Sequence, residues 1–187
     1  MKKVNHSQFA ILGHLLSQGP MSGYDIRKLA EESTGHFWQE SMGHLYPTLN
    51  KMLGEGLISE LEKDQACGGR ERRCYQITEK GLQRFEAWLE EPVVQAPFRH
   101  VLLLKLYFGR YAKQNSLINH LKTDQNNMKE KIEFLKNVKQ QVETKWQGDA
   151  EADYWLITLD YGLSMLEARL AWCERSLIRL EKKSKGN

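Results

Sequence analysis

Residues 41–58 read SMGHLYPTLNKMLGEGLI, and the fold turns on how this stretch is taken. Leu45, Leu49, Met52 and Leu53 recur at i, i+4, i+7 and i+8, one face of an α-helix. Pro47 interrupts the pattern, because a proline inside a helix removes a backbone donor and crowds the preceding turn. With the apolar stripe turned inward, Gly43, His44, Pro47, Asn50, Lys51 and Gly54 fall on the outward face. Tyr46 lies on its flank and Ser41 at its start. Small residues come first, then an amide and a cation. A helix that enters a DNA major groove by its N-terminal end needs such a surface, slim enough to approach and polar enough to reach base edges. Plain solvent exposure fits the same pattern, so the neighbouring segments decide between the two. Proline is tolerable here only near the first turn, which predicts a helix that starts after Ser41 or bends at Pro47.

Two short helical segments come before this one. FAILGHLL (residues 9–16) has helical spacing and stops at Ser17-Gln-Gly-Pro20. SGYDIRKLAEES follows, with Ser22 three residues ahead of Asp25 in an acidic form of the capping box. It is expected to bury Tyr24, Ile26, Leu29 and Ala30 on roughly one side. After the third helix, which Gly54 and Gly56 end, LISELEK and CYQIT read as short strands of a hairpin joined through Gly68-Gly69. TEKGLQRFEAWLEE then starts a fourth helix with Thr78 as N-cap and aligns Leu82, Phe85, Trp88 and Leu89. The order is helix, helix, helix, hairpin, helix, that of a winged helix-turn-helix. The hairpin tip carries Lys63, Arg70, Arg72 and Arg73 against Asp64 and Glu71, suited to phosphates or the minor groove.

These residues resemble the PadR family of bacterial transcriptional regulators. GHLYPTLNKMLGEGLI followed by GGRERRCYQITEKG matches its pattern: a glycine, a Tyr-Pro pair, spaced leucines and a closing Gly-Leu-Ile, then an arginine-rich wing, a tyrosine and Thr-Glu-Lys-Gly. Gly43, Tyr46, Pro47, Leu49, Gly56, Leu57, Ile58, Tyr75, Thr78, Glu79, Lys80 and Gly81 carry the likeness, as does MSGYDI after its Gly-Pro turn. It spans roughly residues 8–90. The resemblance implies a homodimeric regulator that binds a double-stranded DNA operator, with the C-terminal helices supplying much of the dimer interface. The long helical second half is similar in architecture to the larger subclass of the family.

Beyond Pro92 and Pro97 the chain reads as almost wholly helical, so the domains are expected at 1–92 and 93–187. The fold class is mainly α: a winged helix-turn-helix followed by long antiparallel helices in a coiled-coil-like dimerisation domain. RHVLLLKLYFGRYA is a strongly apolar helix, and Ser116 opens another. Leu121, Gln125, Met128, Ile132, Leu135, Lys139, Val142 and Trp146 follow steps of four and three along it. After the turn QGDAEAD, the last helix repeats the spacing through Ala152, Leu156, Leu159, Leu163, Leu166, Leu170, Cys173, Leu177 and Leu180. Of these, Leu156, Leu159, Leu163, Leu166, Leu170 and Leu177 are assigned to dimerisation. Tyr107, Tyr111, Tyr154, Trp155 and Tyr161 are candidates to line a cavity for a small aromatic effector, since polar-tipped rings suit flat ligands. Packing is the competing role for each ring.

Bulk charge decides little. The chain of 187 residues carries a net charge of +3, and residues 1–92 hold 11 basic against 13 acidic residues. Basic character for nucleic acid must therefore be local, and the wing supplies it. The six histidines (His6, His14, His36, His44, His100, His120) show no close pair, and the three cysteines form no CxxC. No metal site, cofactor or catalytic residue is expected. Cys74 and Cys173 read as packing residues, and Cys67 as an exposed wing-tip thiol that neighbouring arginines would make more reactive. No apolar run approaches the ~18–20 residues of a membrane span, and MKKVNHSQFA lacks a signal peptide's apolar segment, so the expected compartment is a reduced cytoplasm. A winged-helix adaptor that binds protein instead of DNA is the alternative function; the outward face of residues 43–51 and the wing arginines argue against it.

Overall fold

The computed structural model describes residues 6–38, 42–61, 73–94 and 98–185. It divides into two compact units, residues 1–95 and 96–187, three residues beyond the expected boundary.

In the first unit, α1 (Ser7–Gln18), α2 (Gly23–Glu32), α3 (Met42–Gly54) and α4 (Glu79–Glu90) surround a small sheet. The expected hairpin strands are β2 (Ile58–Glu60) and β3 (Cys74–Ile77). A two-residue strand ahead of α2, β1 (Met21–Ser22), adds to them, giving an antiparallel sheet ordered β1-β3-β2. It pairs Met21 with Tyr75 and Ser22 with Cys74. Phe9, Leu12, Leu15, Ile26, Leu45, Leu49, Met52, Ile58 and Tyr75 form one buried core. Each fully buried aliphatic side chain among them stabilises the unit by ~1.5–3 kcal/mol. Trp88 of α4 stacks on Phe9 at 4.4 Å between ring centroids. Leu89, expected on the inner side of α4, is exposed.

Ser22 caps α2 as expected: its Oγ accepts from the Asp25 backbone N–H at 3.2 Å and donates to the Asp25 carboxylate at 2.6 Å. Such a cap contributes about 1 kcal/mol. Tyr24 departs from expectation, being exposed; one turn into α2, the core is filled by Ile26 and Ala30 instead.

In the second unit, α5 (Val101–Tyr107) and a single 3-10 turn at Gly109–Tyr111 lead into α6 (Gln114–Lys145) and α7 (Ala152–Lys185). The last two pack antiparallel, and their expected seams meet each other. Ile132, Leu135, Val142, Ala152, Leu159 and Leu163 form one buried cluster; Leu121, Met128, Cys173 and Leu177 form a second. The two polar steps of the α6 seam bond across to α7, Gln125 to Glu174 at 3.3 Å and Lys139 to Asp160 at 2.6 Å. Arg169 donates to Asp124, and the Cys173 thiol donates to the Leu121 carbonyl at 3.1 Å. The leucines assigned to dimerisation therefore pack against α6 of the same chain. Leu159, Leu163 and Leu177 are fully buried there, while Leu156, Leu166 and Leu170 are half-buried. Large apolar and aromatic side chains that α7 leaves open are Tyr154, Ile157, Tyr161 and Met165 near its start and Ile178 near its end. No described helix is long and apolar enough to cross a membrane.

Candidate nucleic-acid interface

Helix α3 buries Leu45, Thr48, Leu49 and Met52 and exposes Gly43, His44, Tyr46, Pro47, Asn50 and Lys51 along one arc. Ser41 lies outside the described residues. Asn50 and His44 make no side-chain hydrogen bond among the described residues. Lys51 is held loosely by Glu55 at 3.6 Å, one turn on, with both ends exposed. Pro47 is the sixth residue of the described helix, in its second turn and not its first. The helix thus forgoes the bond that residue 47 would have donated to the Gly43 carbonyl.

Two close approaches fix how α3 sits. At its front, Tyr46 lies over Gly23: a Cβ on that glycine would come 3.0 Å from the Tyr46 ring and 3.3 Å from Leu49. Only a glycine lets α2 and α3 close to this distance without displacing the ring. At its far end, Gly56 ends the helix with φ at 69°, a left-handed conformation that glycine adopts without strain. The Thr78–Gly81 segment then ties the end of α3 to α4. The Thr78 hydroxyl donates to the Gly56 carbonyl at 2.8 Å and accepts from the Gly81 N–H at 3.1 Å. Lys80 donates to the Glu55 carbonyl at 2.7 Å. A Cβ on Gly81 would collide with the Leu57 carbonyl oxygen.

The wing ladder runs from Ile58 opposite Ile77 to Glu60 opposite Tyr75, and the Leu61 N–H extends it by donating to the Cys74 carbonyl at 2.9 Å. Arg70, Arg72 and Cys67 lie outside the described residues. Arg73 stands at the wing base, exposed, with Nε 3.5 Å from Glu60. Cys74, expected to pack, is buried at 1% exposure in β3. Cys173 is free and buried; burial raises its thiol pKa, with the charge of Asp124 adding to the effect.

A cavity of about 460 Å³ opens where α2, α3 and β3 converge, lined by Ser22, Gly23, Tyr24, Tyr46, Asn50, Arg73 and Tyr75. Tyr24 and Tyr75 were not among the sequence-derived site residues. Tyr75 was legible only as part of the family-like motif. A signal for Tyr24 was its place two residues after the capping Ser22, in the first turn of α2.

The candidate effector aromatics do not form one cluster. Tyr107 and Tyr111 are exposed on α5 and the turn after it, at the end of the unit where Leu102 and Leu106 join Leu177 and Leu180. Tyr154 and Tyr161 are exposed near the start of α7. Trp155 is half-buried against the α6 cluster and meets Trp146 edge-to-face at 5.4 Å. Leu177 lies 22 residues beyond Trp155, which at 1.5 Å per residue puts the two groups roughly 30 Å apart along the helix.

Comparison with known proteins agrees with this geometry. Residues 11–87 match the model of the transcriptional regulator PadR-like family, and residues 98–181 match that of the virulence activator alpha C-terminal region. The negative transcriptional regulator PadR of Bacillus subtilis is 35% identical over 103 residues, 54% of this chain and 55% of that protein; the match thus spans about half the length of the curated relative. The crystal structure of the PadR-like transcriptional regulator BC1756 from Bacillus cereus superposes with a TM-score of 0.75 at 28% identity, covering 94% of this chain and 98% of that one. Bacillus subtilis PadR in complex with operator DNA has a TM-score of 0.78 at 23% identity, over 96% and 99% of the two chains.

Proposed function

We propose, because the chain belongs to the transcriptional regulator PadR-like family, that it is a DNA-binding regulator that acts as a homodimeric repressor in the cytoplasm. The observation that carries this reading is the division of α3. Its inner stripe is fully buried, and its outer arc presents Gly43, His44, Pro47, Asn50 and Lys51 unobstructed, with Tyr46 at the edge. Major-groove readout needs that combination: a narrow leading surface, an amide able to form two bonds with adenine, and a cation for guanine or phosphate. Residues 1–92 are the DNA-binding domain in this reading, and Arg70, Arg72 and Arg73 hold phosphates. Repression is the sense carried by the curated relative's name.

Residues 93–187 form the dimerisation and effector domain. The partner surface is the outer face of α7, where Tyr154, Ile157, Tyr161 and Met165 are exposed at helical spacing. A small aromatic molecule is the releasing signal in this reading. Since Tyr107 and Tyr111 lie far from Tyr154 and Tyr161 within one chain, a pocket that draws on both groups requires two chains packed head to tail. The test is a gel shift of full-length protein on DNA from upstream of its own gene, beside a shuffled duplex of equal length. Binding of the first at tenfold or more lower protein concentration is expected. Equal binding of both would remove the claim of specific recognition, and binding of neither would favour an adaptor role.

A further inference from the structure

The cavity beside α3 holds more hydrogen-bond donors than the fold itself uses. Tyr75 is only 3% exposed, yet its hydroxyl, facing this cavity, makes no hydrogen bond among the described residues. The hydroxyl reaches solvent through the open cavity, as it is not one of the buried unsatisfied atoms, so it is free to donate to an acceptor that enters there. Tyr46 and Asn50 line the same space and are likewise without a side-chain partner among the described residues. Arg73 completes the set; its ion pair among the described residues is the 3.5 Å contact with Glu60. The Asp25 carboxylate, at the same end of α2, is occupied by the Ser22 hydroxyl at 2.6 Å.

We propose that this cavity seats one phosphate group of the DNA backbone, and that Glu60 is a built-in competitor that holds Arg73 until the phosphate arrives. The assignment deepens the DNA-binding reading and rests on it. Two phenols, an amide and a guanidinium all donate, so the fitting ligand is an acceptor carrying negative charge; phosphate oxygens take such bonds from Tyr, Asn and Arg side chains. A space of about 460 Å³ admits a phosphate with its water. Asn50 and Tyr46 belong both to the cavity and to the outer arc of α3, so a phosphate seated here sets the depth and register of the helix in the groove.

Glu60 gives the seat its selectivity. It pairs across the ladder with Tyr75 and faces Arg73. A phosphate that enters fully takes Arg73 from it through two parallel bonds, whereas a duplex that fits poorly meets a neutralised arginine and a carboxylate. Burial, with the charge of Glu60 next, raises the Tyr75 pKa, which keeps the phenol a donor.

The test uses the full-length chain and the duplex it enriches from a random-sequence pool, with binding followed by fluorescence anisotropy. Single methylphosphonate linkages, each removing one backbone charge, are moved along that duplex. At one position per half-site wild type should lose about tenfold in affinity, the scale of one charged hydrogen bond. Tyr75→Phe should already be weaker by a similar factor and lose nothing further at that position. Arg73→Gln, at an exposed site, carries the same coupling should Tyr75→Phe fail to fold. Glu60→Gln should tighten binding to enriched and shuffled duplexes alike and narrow the ratio between them, a gain that no folding defect imitates. Losses that simply add at every position, or an unchanged ratio in Glu60→Gln, overturn the seat while leaving DNA binding intact. If wild type enriches no duplex, the DNA-binding reading falls and the seat with it. Orthophosphate that raises the melting temperature of wild type but not of Tyr75→Phe, without competing for DNA, assigns the cavity to a free anion and overturns the backbone assignment.

Discussion

A hydroxyl, an ammonium and an absent Cβ join the end of α3 to the start of α4. Thr78, Lys80 and Gly81 each meet a backbone carbonyl of the turn over residues 55–57. Gly81→Ala forces a methyl into the Leu57 carbonyl and should destabilise the unit by about 1–3 kcal/mol, the range for overpacking. Thr78→Ala removes the cap of α4 and its bond to Gly56 and should cost about 1 kcal/mol. Thermal unfolding of the two variants checks both, with Glu79→Ala, exposed on the same turn, as the control that should stay near wild type. His14 makes a separate prediction. It is buried in α1, its Nε2 has no partner among the described residues, and burial holds its pKa below the ordinary value. The unfolded chain therefore takes up the proton first as pH falls. The stability tied to the neutral ring is fully present above about pH 6.5 and is lost as pH drops from there toward the folded-state pKa. Melting temperature should decline between pH 7.5 and 5.5, and His14→Met should remove that part of the slope.

Helix α3 shows how much of an element a sequence reveals. Its inner stripe, outer arc and glycine stop were all legible, because burial follows a 3.6-residue period over 13 residues. The place of Pro47 in the second turn was not, since the sequence left open whether the helix begins just after Ser41 or later. Strand β1, with two residues, is too short to show any period. The outward turn of Tyr24 depends on which neighbour fills the core, as does the exposure of Leu89, and neighbours are a property of the packed unit. Pro47→Ala should restore the missing bond to Gly43 and raise stability, with about 3 kcal/mol as the ceiling, while DNA affinity falls as the leading surface changes shape. Melting and gel-shift assays moving in opposite directions would bear this out; a less stable variant that binds at full strength would show that Pro47 serves the fold. Asn50→Ala should alter which duplex is selected from a random pool, since the loss of a bidentate base contact relaxes preference at one position by ~1–3 kcal/mol.

At the scale of the whole molecule, the leucine seam of the second unit was legible as a seam, but its partner was not. Apolar spacing is the same whether the facing helix belongs to the same chain or to another. The structure assigns the inner seam to α6 and leaves Tyr154, Ile157, Tyr161 and Met165 uncovered. Two substitutions separate the faces. Leu163→Ala should lower stability by about 2–5 kcal/mol as a core cavity. Tyr161→Glu should leave the unit folded and shift sedimentation toward monomer. A dimer unaffected by Tyr161→Glu would return the interface to another surface. The cross-links between α6 and α7 carry one more consequence. Gln114 to Leu180, Arg169 to Asp124, Gln125 to Glu174 and Lys139 to Asp160 all span a single turn, and sliding one helix by a heptad would break every one of them together. The pair behaves like a key cut to one lock: a lineage that lengthens one helix by two turns keeps its pairing only by lengthening the other to match, so indels in this region should be inherited in twos.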